Sequence, residues 1–165
     1  MGILRNCDAS DAPILFRWRR LERINQWMFS DPPLDLAAHT TWLTSELLRS
    51  DRWMRIIESE GQSVGFISLT RSQEPGVLEL GIYVGEVGHP GVGSSALRSL
   101  VDEAREREFG SLIRADVFAD NLAAIASYQR VGFRMDEDFD SHVVKAGILR
   151  RVVRFQIELV KFDED

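Results

Sequence analysis

The chain has 165 residues, of which 44% are hydrophobic and 28% charged, and these values are those of one ordinary globular domain, which we predict to span residues 1–165. No apolar run approaches the roughly 20 residues of a membrane span. The N-terminal residues lack the apolar segment of a secretory signal. The formal charge of −6 gives no overall attraction to nucleic acid or anionic lipid. We therefore expect a cytoplasmic protein without membrane or nucleic-acid partners, and the single cysteine, Cys7, excludes an internal disulfide or a multi-cysteine zinc site.

The N-terminal region is predicted to be mostly helical. Residues 3–6 form a short strand, and Ser10 is placed to cap a helix that starts at Asp11. A second helical stretch runs to about Met28. After a pair of prolines breaks the chain, Asp35 can cap a third helix.

Three strands follow between residues 53 and 84, because the hydrophobic period changes to two and short polar turns separate the runs. Such strands pair as an antiparallel meander. In the third strand, alternate side chains point to opposite faces of the sheet. One face takes Leu78, Leu80, Ile82 and Val84, and the other takes Glu79, Gly81 and Tyr83.

The C-terminal half alternates helices and strands. A glycine-rich turn is followed by an amphipathic helix and then by a strand. Asn121 begins a second helix, which ends at Gly132, and a short strand starts at Phe133. The segment 136–142 is predicted to be a polar loop before the last strand, 148–160. Helices interleaved with a largely antiparallel sheet predict an α/β sandwich.

The most informative segment is the glycine-rich run Gly88-His-Pro-Gly-Val-Gly-Ser94, between a strand and a helix. Glycines let backbone amides approach a bound group and a helix N-terminus adds a favourable dipole, so this loop is suited to cradle a diphosphate. It lacks the Gly-Lys-Ser/Thr ending of a Walker loop, and the preceding strand belongs to a meander rather than to a Rossmann βαβ unit. For this loop alone, a connection without a ligand is the alternative.

A second motif follows the next strand and reads Asn121-Leu-Ala-Ala-Ile-Ala-Ser-Tyr128-Gln-Arg-Val-Gly132-Phe133. Together the two segments resemble the GCN5-related N-acetyltransferases, which carry a phosphate loop, commonly Gln/Arg-x-x-Gly-x-Gly/Ala, and a later Asn-x-x-Ala-x-x-x-Tyr-x-x-x-Gly-Phe helix. The match spans about residues 64–133. The resemblance implies a mixed, mostly antiparallel sheet of about seven strands flanked by helices. It also implies an acyltransferase that moves acetyl from acetyl-coenzyme A (acetyl-CoA) to a primary amine without a metal.

The resemblance further implies which residues hold acetyl-CoA. The backbone of Ile82 and Val84 would pair with the pantetheine arm, which then lies as an extra strand. Asn121 would contact the cofactor, and Tyr128 would lie beside the thioester sulfur. The diphosphate would accept hydrogen bonds from Gly91, Val92, Gly93, Ser94 and Ser95.

Two positions of the loop depart from the family pattern. Gly88 stands where the pattern has Gln or Arg, and Pro90 has no amide hydrogen to donate. These departures predict weaker binding of the diphosphate.

The chemistry of a thioester donor assigns the catalytic roles. Tyr128 is our hypothetical general acid, because a phenol with a pKa of about 10 can donate to a thiolate of comparable basicity. Strand amides near Val84 are placed to stabilise the oxyanion. Glu79 points away from the apolar face of its strand and is the candidate base, acting directly or through a water; the alternative is a solvated strand glutamate.

Aromatic and basic residues in the N-terminal helices indicate the acceptor. The series Trp18-Arg19, Trp27-Met28-Phe29 and His39-Thr-Thr-Trp42 resembles the amino-sugar-nucleotide acetyltransferases of the flagellin-modifying pseudaminic acid pathway. This resemblance implies acetylation of the 4-amino group of a nucleotide-linked amino sugar, which needs aromatic surface for stacking and cations for its diphosphate. The candidate contacts are Arg17, Trp18, Arg19, Met28 and His39. A core role is the alternative for tryptophans in helices, and for His39, which shares a stripe with Leu36 and Leu43.

Parts of the sequence also fit other functions. The stretch Glu79-Leu-Gly-Ile-Tyr83 also resembles ribosomal-protein-type Nα-acetyltransferases, aminoglycosides are a further acceptor class, and an acetyl-CoA-binding sensor is the non-enzymatic alternative. Asp138, Asp140 and His142 alternate in a polar loop and are expected to be solvated, so we predict no metal site. An exposed C-terminal edge strand allows pairing into a homodimer.

Overall fold

The computed structural model describes residues 3–160, which fold into a mixed sheet with helices packed on both faces. The strands are β1 (Ile3–Asn6), β2 (Arg52–Ser59), β3 (Gln62–Arg71), β4 (Val77–Val84), β5 (Leu112–Phe118), β6 (Arg134–Met135), β7 (Ser141–Lys145) and β8 (Ile148–Glu158). The helices are α1 (Ala12–Arg19), α2 (Glu22–Asn25), α3 (Leu36–Leu47), α4 (Val92–Glu106) and α5 (Leu122–Val131). The predicted fold class is confirmed. In this part of the chain, no helix is both long and apolar enough to cross a membrane.

The cap of the first helical region is Asp8, so the prediction that Ser10 caps it was wrong. Asp8 accepts a hydrogen bond from the Ser10 amide at 2.8 Å, and a short 3₁₀ turn, Ala9–Asp11, precedes α1. Asp11 accepts from the Asp8 amide at 2.9 Å, which completes a capping box. The Asp8 carboxylate therefore takes the capping role that was predicted for Ser10.

The two later N-terminal predictions have different outcomes. Asp35 caps α3 as predicted, since its Oδ1 accepts from the Ala38 amide at 2.7 Å. The second helical stretch is shorter than predicted, because α2 comprises only Glu22–Asn25. Residues 26–35 form turns and irregular structure that cross one side of the sheet.

The sheet has the order β1-β2-β3-β4-β5-β8-β6, with β7 paired to β8. Among these described strands, β4 and β5 form the parallel pair and the other pairs are antiparallel. The pairing of β4 with β5 covers only Val77 to Glu79 on β4 and Leu112 to Arg114 on β5. The sheet therefore opens between the C-terminal halves of these two strands.

The alternation predicted for β4 agrees with its packing. Leu78, Ile82 and Val84 belong to or pack against the hydrophobic cluster formed with α4 and α5. Tyr83 packs against the second cluster, around Trp18 and Leu43, neither of which has any exposed surface. Each layer of helices therefore meets a different set of β4 side chains.

The C-terminal region contains a strand that the sequence analysis missed. β7 pairs antiparallel with β8, and Ala146 and Gly147 between them have φ values of 50° and 76°, as in a two-residue hairpin turn. His142, predicted to lie in a polar loop, is therefore a strand residue. At the end of β7, Lys145 is buried, and its Nζ donates to the Ser30 carbonyl at 3.2 Å. The hairpin thereby contacts the irregular segment after α2.

Candidate active site

A cavity of about 290 Å³, which we call the splay cavity, lies beside the C-terminal half of β4, beyond the point where the pairing of β4 with β5 ends. Its walls come from the C-terminal half of β4, from α4 and α5, and from α2 and the residues that follow it. The lining includes Ile82, Val84, Gly93, Asn121 and Tyr128. Residues predicted from two separate motifs to hold one ligand therefore surround one space.

The backbone of β4 faces this cavity at alternate residues. The Gly85 amide donates to the Val64 carbonyl on β3 at 2.7 Å. Alternate residues of an antiparallel strand bond to the same neighbour, so Ile82 and Val84 direct their amide and carbonyl groups away from β3. Because β5 pairs only as far as Glu79, these groups have no strand partner on the cavity side. An extended ligand with amide groups can pair there as an additional strand.

The glycine-rich loop leads into α4 at the same cavity. Gly88 and Gly91 have φ values of 86° and 78°, a left-handed conformation that favours glycine, and an added Cβ at either position would meet no neighbouring atom. Conformation rather than lack of space therefore requires glycine at these two positions. No side chain caps α4, whose N-terminus is left open to a bound anion.

The five predicted diphosphate donors differ in availability. The Ser95 amide donates to the Gly91 carbonyl at 3.1 Å, and the Val92 amide donates to a loop carbonyl at 3.3 Å. Gly93 and Ser94 are the second and third residues of α4, where an amide has no carbonyl one turn earlier to bond with. The amides of Gly93 and Ser94 are therefore the ones most available to a phosphate.

A cation that the sequence analysis missed lies beside this helix N-terminus. Arg130, near the end of α5, donates from Nη1 to the Ser94 hydroxyl at 3.2 Å, and that hydroxyl also bonds with Ser127 at 3.1 Å. Gly88 has no side chain where the family pattern has Gln or Arg, and Arg130 brings a guanidinium to this region from another helix. In the sequence, Arg130 is an arginine two residues after Tyr128. Its role could not be predicted without knowing that α5 packs against α4.

Tyr128 is buried between α5 and the sheet and lines the splay cavity. Its ring lies 5.6 Å from that of Phe133 and 6.1 Å from that of Phe155, measured between centroids. Burial raises the pKa of Tyr128 to about 12, because the phenolate would lose its hydration. The side chain is therefore a neutral phenol at physiological pH, with a proton to donate.

Asn121 has a structural role besides the predicted one. As the N-cap of α5, its Oδ1 accepts from the Ala124 amide at 3.3 Å. This hydrogen bond fixes the side chain at the wall of the splay cavity and uses only its oxygen. The side-chain NH₂ group is not engaged by the cap and is suited to donate to a ligand carbonyl.

A second cavity, of about 520 Å³, lies on the side of the sheet covered by α1 and α3, and we call it the N-terminal cavity. Its lining comes from α1, residues 28–35, α3 and the faces of β3 and β4. Met28, Ile82 and Tyr83 line both cavities. The two spaces therefore meet at the C-terminal half of β4, at the segment that carries Met28.

Two side chains of the N-terminal cavity, those of Arg19 and His39, each have a buried nitrogen atom without a hydrogen-bond partner. Arg19 donates from Nη2 to the Ser30 hydroxyl at 3.0 Å and to the Asp31 carbonyl at 3.2 Å, but its Nη1 has no partner. His39 stacks on Trp42 with centroids 5.1 Å apart, and its Nε2 also has no partner. Burial, and then the charge of Arg19, lower the pKa of His39, so its imidazole is neutral at physiological pH.

The structure brings three of the five predicted acceptor contacts together. Arg19, Met28 and His39 line the N-terminal cavity. Trp18 is 0% exposed and packs edge-on against Tyr83, with centroids 6.2 Å apart, so it has no face open to a ligand. For Trp18 the core alternative is correct, because the apolar stripe of α1 needs a large residue to fill the space over the sheet.

Two further predicted residues lie outside both linings. Arg17 is exposed and pairs with Glu86 at the surface. Glu79 is exposed on β4, although its side chain shares a face of the strand with Gly81 and Tyr83, which line the N-terminal cavity. Neither Arg17 nor Glu79 therefore belongs to the lining of these two cavities.

The arrangement suits group transfer between two substrates. An open helix N-terminus and an unpaired strand edge can bind a long donor with phosphate and amide groups, and a separate cavity admits a second substrate to the same point on β4. Across residues 3–160, no three His, Cys, Asp or Glu side chains are arranged to hold a metal ion. The residues that meet at the junction are therefore suited to position substrates and move protons.

Comparison with known proteins identifies a family and a relative in sequence. A family model described as acetyltransferase (GNAT) domain matches residues 3–134. Acetyltransferase PseH from Campylobacter jejuni subsp. jejuni serotype O:23/36 (strain 81-176) is 26% identical over 137 residues, which cover 81% of this chain and 83% of PseH.

Solved structures of acetyltransferases share the fold. RimL, the ribosomal L7/L12 alpha-N-protein acetyltransferase in complex with coenzyme A, superposes with a TM-score of 0.84 at 18% identity, over 95% of this chain and 93% of RimL. Spermidine N-acetyltransferase from Vibrio cholerae, in complex with CoA and spermine, gives a TM-score of 0.85 at 16% identity, over 96% of this chain and 95% of that one. At these identities the likeness concerns the fold.

Proposed function

The chain belongs to the GNAT acetyltransferases, and we propose that the amine it acetylates is the 4-amino group of a nucleotide-linked amino sugar. As a member of this family it is an acyltransferase that uses acetyl-CoA. The observation that carries the acceptor proposal is the guanidinium of Arg19 at the N-terminal cavity, whose Nη1 is buried without a hydrogen-bond partner. A buried charged donor left unpaired destabilises the protein, and a bound phosphate oxygen would satisfy it.

The charges around the N-terminal cavity favour an anionic substrate over a polycation. Arg19 and Arg52 are partly buried in the lining, whereas Asp31 and Asp35 are exposed at its rim. Arg52 bonds to Glu46 at 2.6 Å, but no carboxylate of the described residues bonds to Arg19. Two like charges 4 Å apart repel by about 4 kcal/mol at an effective dielectric constant of about 20. A polyamine or aminoglycoside nitrogen beside Arg19 is therefore disfavoured, and a diphosphate is attracted.

Aromatic surface at the same cavity supports a nucleotide. Trp42 is 42% exposed, although it is a large apolar residue, and its ring stacks on His39. The guanidinium of Arg52 lies 5.5 Å from the Trp42 ring centroid, which holds the indole in place. A planar base or a sugar face can pack on such a surface, and the similarity to PseH agrees with the resemblance of these helices to amino-sugar-nucleotide acetyltransferases.

In the proposed reaction the neutral amine attacks the thioester carbonyl carbon directly. The C–N bond forms, the C–S bond breaks, the sulfur leaves with the electron pair as a thiolate, and the proton lost by the nitrogen passes to a base. Binding both substrates at the junction of the two cavities provides the orientation that direct attack needs. Strand amides near Val84, which face the splay cavity, are proposed to stabilise the carbonyl oxygen as it gains charge.

Tyr128 is proposed to stabilise the departing thiolate. Burial raises its pKa to about 12, above the ordinary value of about 8.5 for a thiol, so complete transfer of its proton to the sulfur is unfavourable. The buried phenol can still donate a hydrogen bond to the developing charge. Tyr128 is therefore better described as a hydrogen-bond donor that lowers the barrier than as a full general acid.

For the base, we propose that Glu79 receives the amine proton through a water. Its position on the same face of β4 as Gly81 and Tyr83 supports this role, since both of those residues line the N-terminal cavity. His39 is the second candidate, because its imidazole is neutral, has an unpaired Nε2 and lines the cavity itself.

The test is acetyl-CoA turnover measured by free-thiol release with four acceptors: a UDP-linked 4-amino sugar, an N-terminal peptide, spermidine and an aminoglycoside. We expect turnover with the amino sugar. Replacing Arg19 with glutamine should raise KM for that sugar about tenfold or more, equivalent to about 1.4 kcal/mol, without changing KM for acetyl-CoA.

Arg20→Gln is the matched control, because the neighbouring guanidinium donates to the Leu34 carbonyl at 3.1 Å and does not line the cavity. This variant should leave both KM values unchanged. Turnover on the peptide or a polycation in place of the amino sugar would replace the acceptor proposal. An Arg19→Gln variant with an unaltered KM would remove the diphosphate role of Arg19.

A further inference from the structure

Met28 lies where the two cavities meet. It belongs to the lining of both, together with Ile82 and Tyr83. A donor bound along β4 in the splay cavity must present its acyl carbon at this junction, because an acceptor in the N-terminal cavity reaches the donor there. The residues at the junction therefore border the acyl group itself.

The segment that carries Met28 is anchored on both sides of it. Immediately before Met28, the ring of Trp27 lies under the guanidinium of Arg150, 5.3 Å from the ring centroid. Two residues after Met28, the Ser30 carbonyl accepts from the buried Lys145 at 3.2 Å. Although residues 26–35 have no regular secondary structure, Met28 is thus part of a fixed wall rather than of a free loop.

We propose that Met28 sets the length of the acyl chain that the enzyme accepts. When the thioester carbon sits at the junction, any carbon beyond the acetyl methyl group extends into the space that the Met28 side chain fills. An anchored backbone leaves only rotation of the thioether side chain to make room. One methylene that does not fit a pocket changes selectivity by about 10- to 200-fold. The inference rests on acyl-CoA binding and does not depend on the identity of the acceptor.

The experiment measures dissociation constants of CoA, acetyl-CoA, propionyl-CoA and butyryl-CoA by isothermal titration calorimetry, with no acceptor present. In the natural protein we expect Kd for butyryl-CoA to exceed that for acetyl-CoA by about tenfold or more. Met28→Ala should bring the two values to within about threefold by removing the side chain that the longer chain meets. Its Kd for unacylated CoA should not change, which shows that the donor site is intact.

Two control variants isolate the junction. Met28→Leu conserves side-chain volume and should keep the natural order of affinities. Leu34→Ala truncates another residue of the N-terminal cavity, 89% exposed, and should also keep it.

A Met28→Ala protein that binds CoA normally and retains the natural preference for acetyl-CoA would overturn the inference, as would a natural protein that binds all three acyl-CoAs equally. If Met28→Ala does not fold, Met28→Val removes less volume and is measured in the same way. Because no acceptor is used, a wrong acceptor proposal leaves this result unaffected.

Discussion

Replacing Gly65 with alanine tests whether close packing on β3 holds the end of β4 in its binding position. Gly65 is the Cα partner of Val84, and a Cβ on Gly65 would lie 2.6 Å from the Tyr83 carbonyl oxygen and 3.1 Å from the Val84 Cα. Both obstacles are backbone atoms, so no side-chain rotation relieves them, and β4 has to move by about 0.5–1 Å. Overpacking costs about 1–3 kcal/mol, offset in part by about 0.5–1 kcal/mol from replacing a strand glycine.

The expected net loss of about 1–2 kcal/mol corresponds to a fall in Tm of about 3–8 °C for a chain of this size, measured by far-ultraviolet circular dichroism. Because the shift also displaces the backbone of Ile82 and Val84, Kd for acetyl-CoA should rise about fivefold, equivalent to about 1 kcal/mol. Gly61→Ala is the control: its φ is 76° and its added Cβ meets no atom, so we expect a stability loss of about 1 kcal/mol from backbone strain without a change in Kd. A Gly65→Ala protein with natural Tm and Kd refutes the packing argument.

Three further predictions concern the chemistry of the site. Arg130→Gln should raise KM for acetyl-CoA about tenfold, because it removes a charge-assisted contact with the diphosphate. The control is Arg98→Gln, since the exposed Arg98 donates to the Arg130 carbonyl at 3.2 Å, and this variant should leave KM unchanged. Equal KM values in the two variants would contradict the role of Arg130 in binding the diphosphate. Tyr128→Phe should lower kcat about 100-fold with KM for acetyl-CoA nearly unchanged, and an unaltered kcat removes the phenol from the mechanism. Glu79→Gln should lower kcat about 100-fold, whereas His39→Gln should leave kcat nearly unchanged. Burial lowers the pKa of His39, so a base role for His39 predicts a fall in activity only below its ordinary pKa of about 6.5; if the natural protein shows such a fall and His39→Gln does not, the role belongs to His39.

Features that depend on neighbouring residues in the chain could be predicted from the sequence. The Asp35 cap needs only a carboxylate three residues before a free amide, and the alternation of β4 follows from the geometry of any strand. The conformation of the loop is local too, because the positive φ values of Gly88 and Gly91 are the reason for glycine there. Of these features, β4 and the loop border the splay cavity, whereas the Asp35 cap lies at the N-terminal cavity.

Features that depend on contacts between distant segments could not be predicted in this way. Nothing in the local pattern distinguishes Trp18, which fills the core, from Trp42, which borders the N-terminal cavity with 42% of its surface exposed. Arg130 approaches Ser94 across 36 positions of sequence, and Lys145 reaches Ser30 across 115. The strand β7 was missed for a different reason, since Ala146 rather than Asn or Asp precedes Gly147 in its hairpin turn.

The geometry of β4 also explains how one fold can keep its donor and change its acceptor. The backbone of β4 faces the splay cavity because the pairing of β4 with β5 ends at Glu79. This exposure of the backbone does not depend on which side chains the C-terminal half of β4 carries. The opposite face of the strand and the segment 28–39 supply much of the N-terminal cavity. Among the described residues, Met28, Ile82 and Tyr83 are the ones that belong to both linings. Substitutions elsewhere in the N-terminal cavity can therefore alter the acceptor without disturbing the donor, whereas these three residues border the space for both substrates.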